Sequence, residues 1–155
     1  MPIYQIKTTQ KLPITLQAAW DFISSPYNLE TITPDDMGFE ITNGVKPDDK
    51  MYAGQIITYN VKPLAGIKME WVTEITHVEN LKYFIDEQRF GPYSLWHHQH
   101  HIKAIEGGIQ MDDIVHYKIP FGPLGQLMNT LVVKNKLKQV FDYRHKKLIE
   151  LFGTL

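Results

Sequence analysis

The amino-acid sequence predicts an α+β fold: a curved antiparallel β-sheet wrapped around a long C-terminal helix, with two short helices after the first strand. Three observations carry that expectation. Between residues 39 and 119 the chain reads as β-branched and aromatic segments separated by turn residues at the spacing of a meander. From Leu124 to Phe152 it reads as one helix, with no proline and no glycine beyond Gly125. Its 155 residues, 43% hydrophobic and 21% charged, suit one domain over 1–155 that buries its own core.

The elements follow in order. Residues 3–12 place Tyr4, Ile6 and Leu12 in one phase of a half-buried strand. Pro13 ends it, and Thr15 caps a helix to about Ser24 with Leu16, Ala19, Trp20 and Ile23 on its buried side. Ser25-Pro26 interrupts that helix, and a short helical turn, YNLETI, precedes Thr33-Pro34. Strands are then expected at Phe39–Thr42, Gln55–Val61, Lys68–Val78, Tyr83–Phe90, Ser94 to about Ala104, and Ile109–Ile119. The turns between them include Pro63–Gly66, Gly91-Pro92 and Glu106-Gly107-Gly108. Pro120-Phe121-Gly122-Pro123 breaks the chain before the long helix, whose expected apolar face is Leu127, Leu131, Leu137, Phe141, Leu148 and Phe152. At 1.5 Å per residue that helix is roughly 40 Å long, enough to cover the concave face of the sheet and leave a cavity beneath it.

Composition excludes several chemistries. There are no cysteines, hence no disulfide, thiolate metal site or thiol nucleophile. A formal net charge of −1 gives no global attraction to nucleic acid or anionic membrane. The N-terminus lacks a signal-peptide core, and no apolar run approaches the roughly 20 residues of a membrane helix. The expectation is a cytoplasmic protein, monomer or homodimer, without nucleic-acid partner, stable membrane insertion, metal or cofactor.

The candidate site is Phe84 to His101. On strands around the Gly91-Pro92 turn, Phe84, Asp86 and Gln88 share one face of the first, and Trp96, His98 and His100 one face of the second. His97 and His101 fall on the opposite side. Three readings arise. His98, His100 and Asp86 form a metal-type constellation; either histidine with Asp86 forms an acid/base pair; or the set is the polar wall of a pocket, the reading preferred here. Arg144 lies between Phe141 and Leu148 on the apolar stripe, where a charge is unexpected. It either reaches Asp86, Asp113 or an anionic ligand head, or, as the favoured reading, snorkels to water. Trp71, Tyr83, Phe84, Trp96, Tyr117, Phe121 and Phe141 are further candidates for lining. The basic run of Lys134, Lys136 and Lys138 and then Arg144 to Lys147 reads first as a solvated helix face, with membrane docking as the rival.

The chain resembles the START/Bet v 1-like (SRPBCC) superfamily and its helix-grip fold, in particular a bacterial ligand-binding branch related to polyketide cyclase/dehydrase and lipid-transport proteins. The resemblance rests on Trp20, Phe22, Pro26, Asn28, Leu29 and Ile32-Thr33-Pro34. It continues with Phe84, Asp86, Gln88, Gly91-Pro92-Tyr93, Trp96, His98 and His100, then Asp113, Val115, Tyr117 and Pro120-Phe121-Gly122-Pro123. It implies a cavity for a small hydrophobic ligand (lipid, polyketide-like or aromatic), or alternatively a cyclase/dehydratase-like enzyme using His98 or His100 with Asp86.

Overall fold

The computed structural model describes residues 2–63 and 66–155, so the expected Pro63–Gly66 turn lies partly outside the described residues. Strand β1 (Tyr4–Leu12) leads into helix α1 (Leu16–Ile23) and helix α2 (Asn28–Thr31). Thr15 has the extended backbone of a cap, and its hydroxyl accepts from the Ala18 amide at 3.1 Å. A single tight turn, Asp35–Met37, precedes strands β2 (Glu40–Ile41), β3 (Gln55–Val61), β4 (Met69–Glu79), β5 (Tyr83–Phe90), β6 (Leu95–Ile105) and β7 (Gly108–Lys118).

These form one antiparallel sheet in the order β1-β7-β6-β5-β4-β3-β2, so β1 closes against the last strand of the meander. Two register shifts between β4 and β5, at Val72/Thr73 and Ile75/His77, add the local bend that curls the sheet. The alternation of β7 is complete: Ile109, Met111, Asp113, Val115 and Tyr117 are buried and their neighbours are not.

The C-terminal helix begins at Gly122, two residues before the expected start. Helix α3 (Gly122–Met128) passes through a π turn, Asn129–Val133, into α4 (Lys134–Phe152). The π turn holds an extra residue and rotates the buried side. Leu137, Phe141 and Leu148 lie inward as expected. Through α3 and the π turn the inward positions are Gly125, Asn129 and Val133, and Leu127 and Leu131 face solvent, which corrects the expected apolar face. Gly125 is required there, because a Cβ would collide with the Pro120 carbonyl oxygen. Asn129 ties the helix to the sheet by accepting from the Tyr117 hydroxyl at 3.0 Å. Among the described residues no helix is long and apolar enough to cross a membrane.

Candidate functional site

Sheet register builds the site. Asp86 on β5 pairs with His98 on β6, Phe84 with His100, and His100 with Asp113 on β7. All five side chains rise from the concave face, under the helix that brings Phe141 and Arg144 down onto them. They line a cavity of about 150 Å³ between sheet and helix. Its remaining walls are mainly apolar and aromatic, from Phe22, Leu29 and Phe39 above to Tyr59, Trp71 and Trp96 on the sheet.

The polar wall is a closed network. The His98 and His100 rings lie 3.7 Å apart at 36°, and Phe84 stacks on His100 from the other side at 4.1 Å. Each imidazole spans two carboxylates. His100 Nε2 lies 2.6 Å from Asp86 Oδ2 and its Nδ1 3.0 Å from Asp113 Oδ1. His98 Nε2 lies 2.9 Å from Asp113 Oδ1, while its Nδ1 stands off from Asp86 Oδ2 at 3.5 Å. Arg144 adds a contact from NH1 to Asp113 Oδ1 at 3.4 Å and sets its guanidinium 5.2 Å from the Phe141 ring centre.

Protonation follows from the partners. A carboxylate only accepts, so His100, between two of them at hydrogen-bond distance, carries N–H on both nitrogens. Burial works against that charge, but the hydrogen bonds to Asp113 and Asp86 prevail and raise its pKa. His98 takes the opposite course. Burial and the neighbouring His100 charge push it down to about 4, so it is neutral with its N–H at Nε2. Burial also opposes ionisation of both carboxyls. The hydrogen bonds from His100 and His98 and the charge of Arg144 hold Asp113 well below the usual carboxylate range. The His98 and His100 side chains lower Asp86 likewise. Two carboxylates, one imidazolium and one guanidinium therefore balance, and the buried cluster is neutral.

Asp86, His98 and His100 bring one ligand atom each within 4.8 Å of one another and, among the described residues, are the group that could hold a divalent ion. All four ring nitrogens of the pair face carboxylate oxygens: three donate an N–H, while the unprotonated His98 Nδ1 stands 3.5 Å from Asp86 Oδ2 with no proton to share.

The other predicted residues divide. Trp71, Phe84, Trp96, Phe141 and Arg144 line the cavity together with Asp86, His98 and His100. Gln88 does not. Its amide is spent on the Gly91-Pro92 turn, donating to the Tyr93 carbonyl at 2.6 Å and accepting from the Tyr93 amide at 3.1 Å. Tyr117 is core under the helix, held by Asn129, while Tyr83 packs beside His101 and Phe121 is exposed, so neither lines the cavity. The expectation that Arg144 snorkels to water fails, since its side chain is 12% exposed and its Nε is buried without a partner. His97 and His101 lie on the outer face, His97 near Glu87 and His101 bonded to Gln99. Asp113 is the site residue that the histidine run obscured. Its signal was the inward phase it shares with Met111 and Val115. Tyr93, packed on Trp71 and Trp96, entered only through the resemblance, because a turn residue has no strand phase to mark it.

No protein-family model matches the chain, and no curated protein matches it. Solved structures do. Protein CV1439 from Chromobacterium violaceum is 10% identical with a TM-score of 0.73, covering 97% of this chain and 98% of that one. Ms6760 from Mycobacterium smegmatis is 14% identical with a TM-score of 0.64, over 97% and 98%. Ara h 8.0201 is 13% identical with a TM-score of 0.60, over 96% and 99%. At such identities the likeness shows the fold alone: a curved antiparallel sheet gripping a long C-terminal helix. It leaves the function to the site.

Proposed function

We propose that the chain binds a small hydrophobic ligand in the cavity between sheet and C-terminal helix, with the Asp86–His98–His100–Asp113–Arg144 cluster orienting its polar end. One observation carries the reading: an otherwise apolar cavity with a single buried, charge-balanced polar wall. Size narrows the ligand. An apolar cavity of about 150 Å³ holds a molecule the size of benzene, so this one suits a single ring or a short chain. A long lipid requires the helix to part from the α2 segment. Charge narrows it further, because an anion added to a neutral buried cluster lacks a counter-charge. A neutral hydroxyl or carbonyl head, as in a phenol, meets no such penalty. The acid/base alternative needs a ring nitrogen facing the substrate, and in this network each faces a carboxylate.

Trp71 and Trp96 line the cavity, so ligand entry should alter indole fluorescence. Native mass spectrometry of the purified chain, followed by titration with phenol and with benzoate, tests the reading. The expected result is saturable quenching by phenol and weaker quenching by benzoate at neutral pH. Absence of both a co-purifying compound and saturable quenching by any single-ring compound would overturn it.

A further inference from the structure

One end of the molecule is apolar where it meets solvent. Register places the start of β1 beside the end of β7 (Tyr4 opposite Tyr117), and the start of β6 beside the same end (Leu95 opposite Lys118). The end of β5 pairs with β4 through Phe90 and Val72, and the end of β3 with the start of β4 through Val61 and Met69. Ile3, Ile67 and Phe90 therefore sit at one edge of the sheet with Phe121 and helix α3, and all are exposed. Phe121 is 78% exposed, Phe90 71%, Leu124 62% and Leu131 61%. From Phe121 to Val133 the chain carries no charged residue. Its inward positions, Gly125, Asn129 and Val133, already pack on the sheet, so Leu124, Leu127 and Leu131 form a second apolar face without a partner. Phe121 is also held at φ +70, a left-handed conformation rare for a bulky residue, and gains no burial in return.

The charges around this end identify the partner. Lys62, Lys118 and Lys134 stand at the end of β3, the end of β7 and the start of α4, and none is in an ion pair among the described residues. Lys68 is tied to Glu40, Arg89 to Glu74 and Glu87, and Lys136 to Asp36, which leaves Glu70 and Asp35 as acids near this end outside an ion pair. Unpaired lysines thus ring an apolar end in a chain whose formal net charge is −1. A second copy would suit this surface poorly, since a two-fold interface brings the same lysines face to face.

We infer that this end, Phe121, Leu124 and Leu131 with Ile3, Ile67 and Phe90, docks peripherally on an anionic lipid surface, the apolar side chains entering the headgroup boundary and Lys62, Lys118 and Lys134 meeting the headgroups. Pro63 and Val133 line the cavity and lie at this same end, so a docked molecule brings that end of the cavity against the bilayer where its apolar ligand would partition. That last step rests on the proposed ligand binding, while the docking itself does not.

Flotation of the full chain with vesicles tests the docking without any cavity ligand. The expected result is binding to phosphatidylcholine vesicles containing one third phosphatidylglycerol, and little to pure phosphatidylcholine. Binding should weaken between about 0.1 M and 1 M salt, as the screening length falls from about 10 Å to 3 Å. Phe121→Ser and Leu124→Ser should each lower the partition coefficient about tenfold, and Lys118→Gln or Lys134→Gln about fivefold. Phe121, Leu124 and Lys134 are exposed and Lys118 is half-buried at the end of β7, so unchanged melting curves confirm that the variants fold. No binding to the anionic vesicles, or binding indifferent to these substitutions, would overturn the inference. So would a dimer, seen by light scattering, that Leu124→Ser dissociates while vesicle binding is absent.

Discussion

Replacing Asp113 with asparagine tests the central claim that the buried cluster is charge-balanced. Asp113 Oδ1 receives His98 Nε2 at 2.9 Å, His100 Nδ1 at 3.0 Å and Arg144 NH1 at 3.4 Å, and its side chain is 7% exposed. Asparagine keeps the shape and removes the charge, leaving Asp86 alone opposite two cations. Removing one partner from a buried ion pair costs about 3–5 kcal/mol. For a domain of this size each kcal/mol shifts the melting midpoint by about 2–4 °C, so a fall of about 6–20 °C is expected at neutral pH. The pH dependence has a definite sign. The carboxyl is held well below its unfolded value, so its contribution is present above the ordinary carboxylate pKa and is lost as pH falls through the folded value. Parent and variant should therefore converge in strong acid. They should also draw closer in alkali, where His100 of the variant sheds its proton. Urea unfolding followed by tryptophan fluorescence and circular dichroism gives the free energies. A loss below about 1 kcal/mol at neutral pH, the size of an ordinary substitution, would refute the reasoning.

The other predictions concern single positions. His98 is held down to about 4 against 6.5 when free, so the unfolded chain takes up that proton first and stability should fall as pH drops from 6.5 toward 4. His98→Gln should flatten that slope, and equal slopes in parent and variant would remove the assignment. His100 has the opposite sign: its raised pKa gives stability that is complete below 6.5 and lost as pH rises through the folded value, so the parent should be most stable near neutrality. Alanine usually gains up to about 1 kcal/mol over glycine in a helix. At Gly125 the new Cβ meets the Pro120 carbonyl, and a loss of about 1–3 kcal/mol in thermal or urea unfolding is expected instead. Thr15→Ala should remove the cap of α1 and cost about 1 kcal/mol by the same assays, with no change at the cavity.

The order and kind of elements were legible because they depend on local periodicity. Gln55–Val61 and Tyr83–Phe90 fall where the alternation and their turns put them, and Thr15 and Pro13 mark the start of α1. The face shared by Asp86, His98 and His100 was likewise legible, since a strand has a period of two and the Gly91-Pro92 turn pairs the two strands. The reading failed where a side chain had two possible employers. Gln88 has the inward phase but serves the turn beside it, and Tyr117 has the same phase but is covered by the helix. Leu127 and Leu131 were misplaced because nothing in the composition of NTLVV signals that the helix widens there and rotates its buried side.

Local chemistry by itself determined the sheet, the long helix and the candidate set of acid, imidazoles and aromatics, because periodicity acts over a few residues. Only the tertiary structure decided that Asp113 completes the network from the neighbouring strand and that Arg144 descends from the helix to balance it. It also decided that the start of the helix leaves a second apolar face uncovered. Those outcomes depend on contacts between residues far apart in the chain. A charge buried beside an opposite charge, and a leucine turned away from the core, look the same in sequence as their opposites.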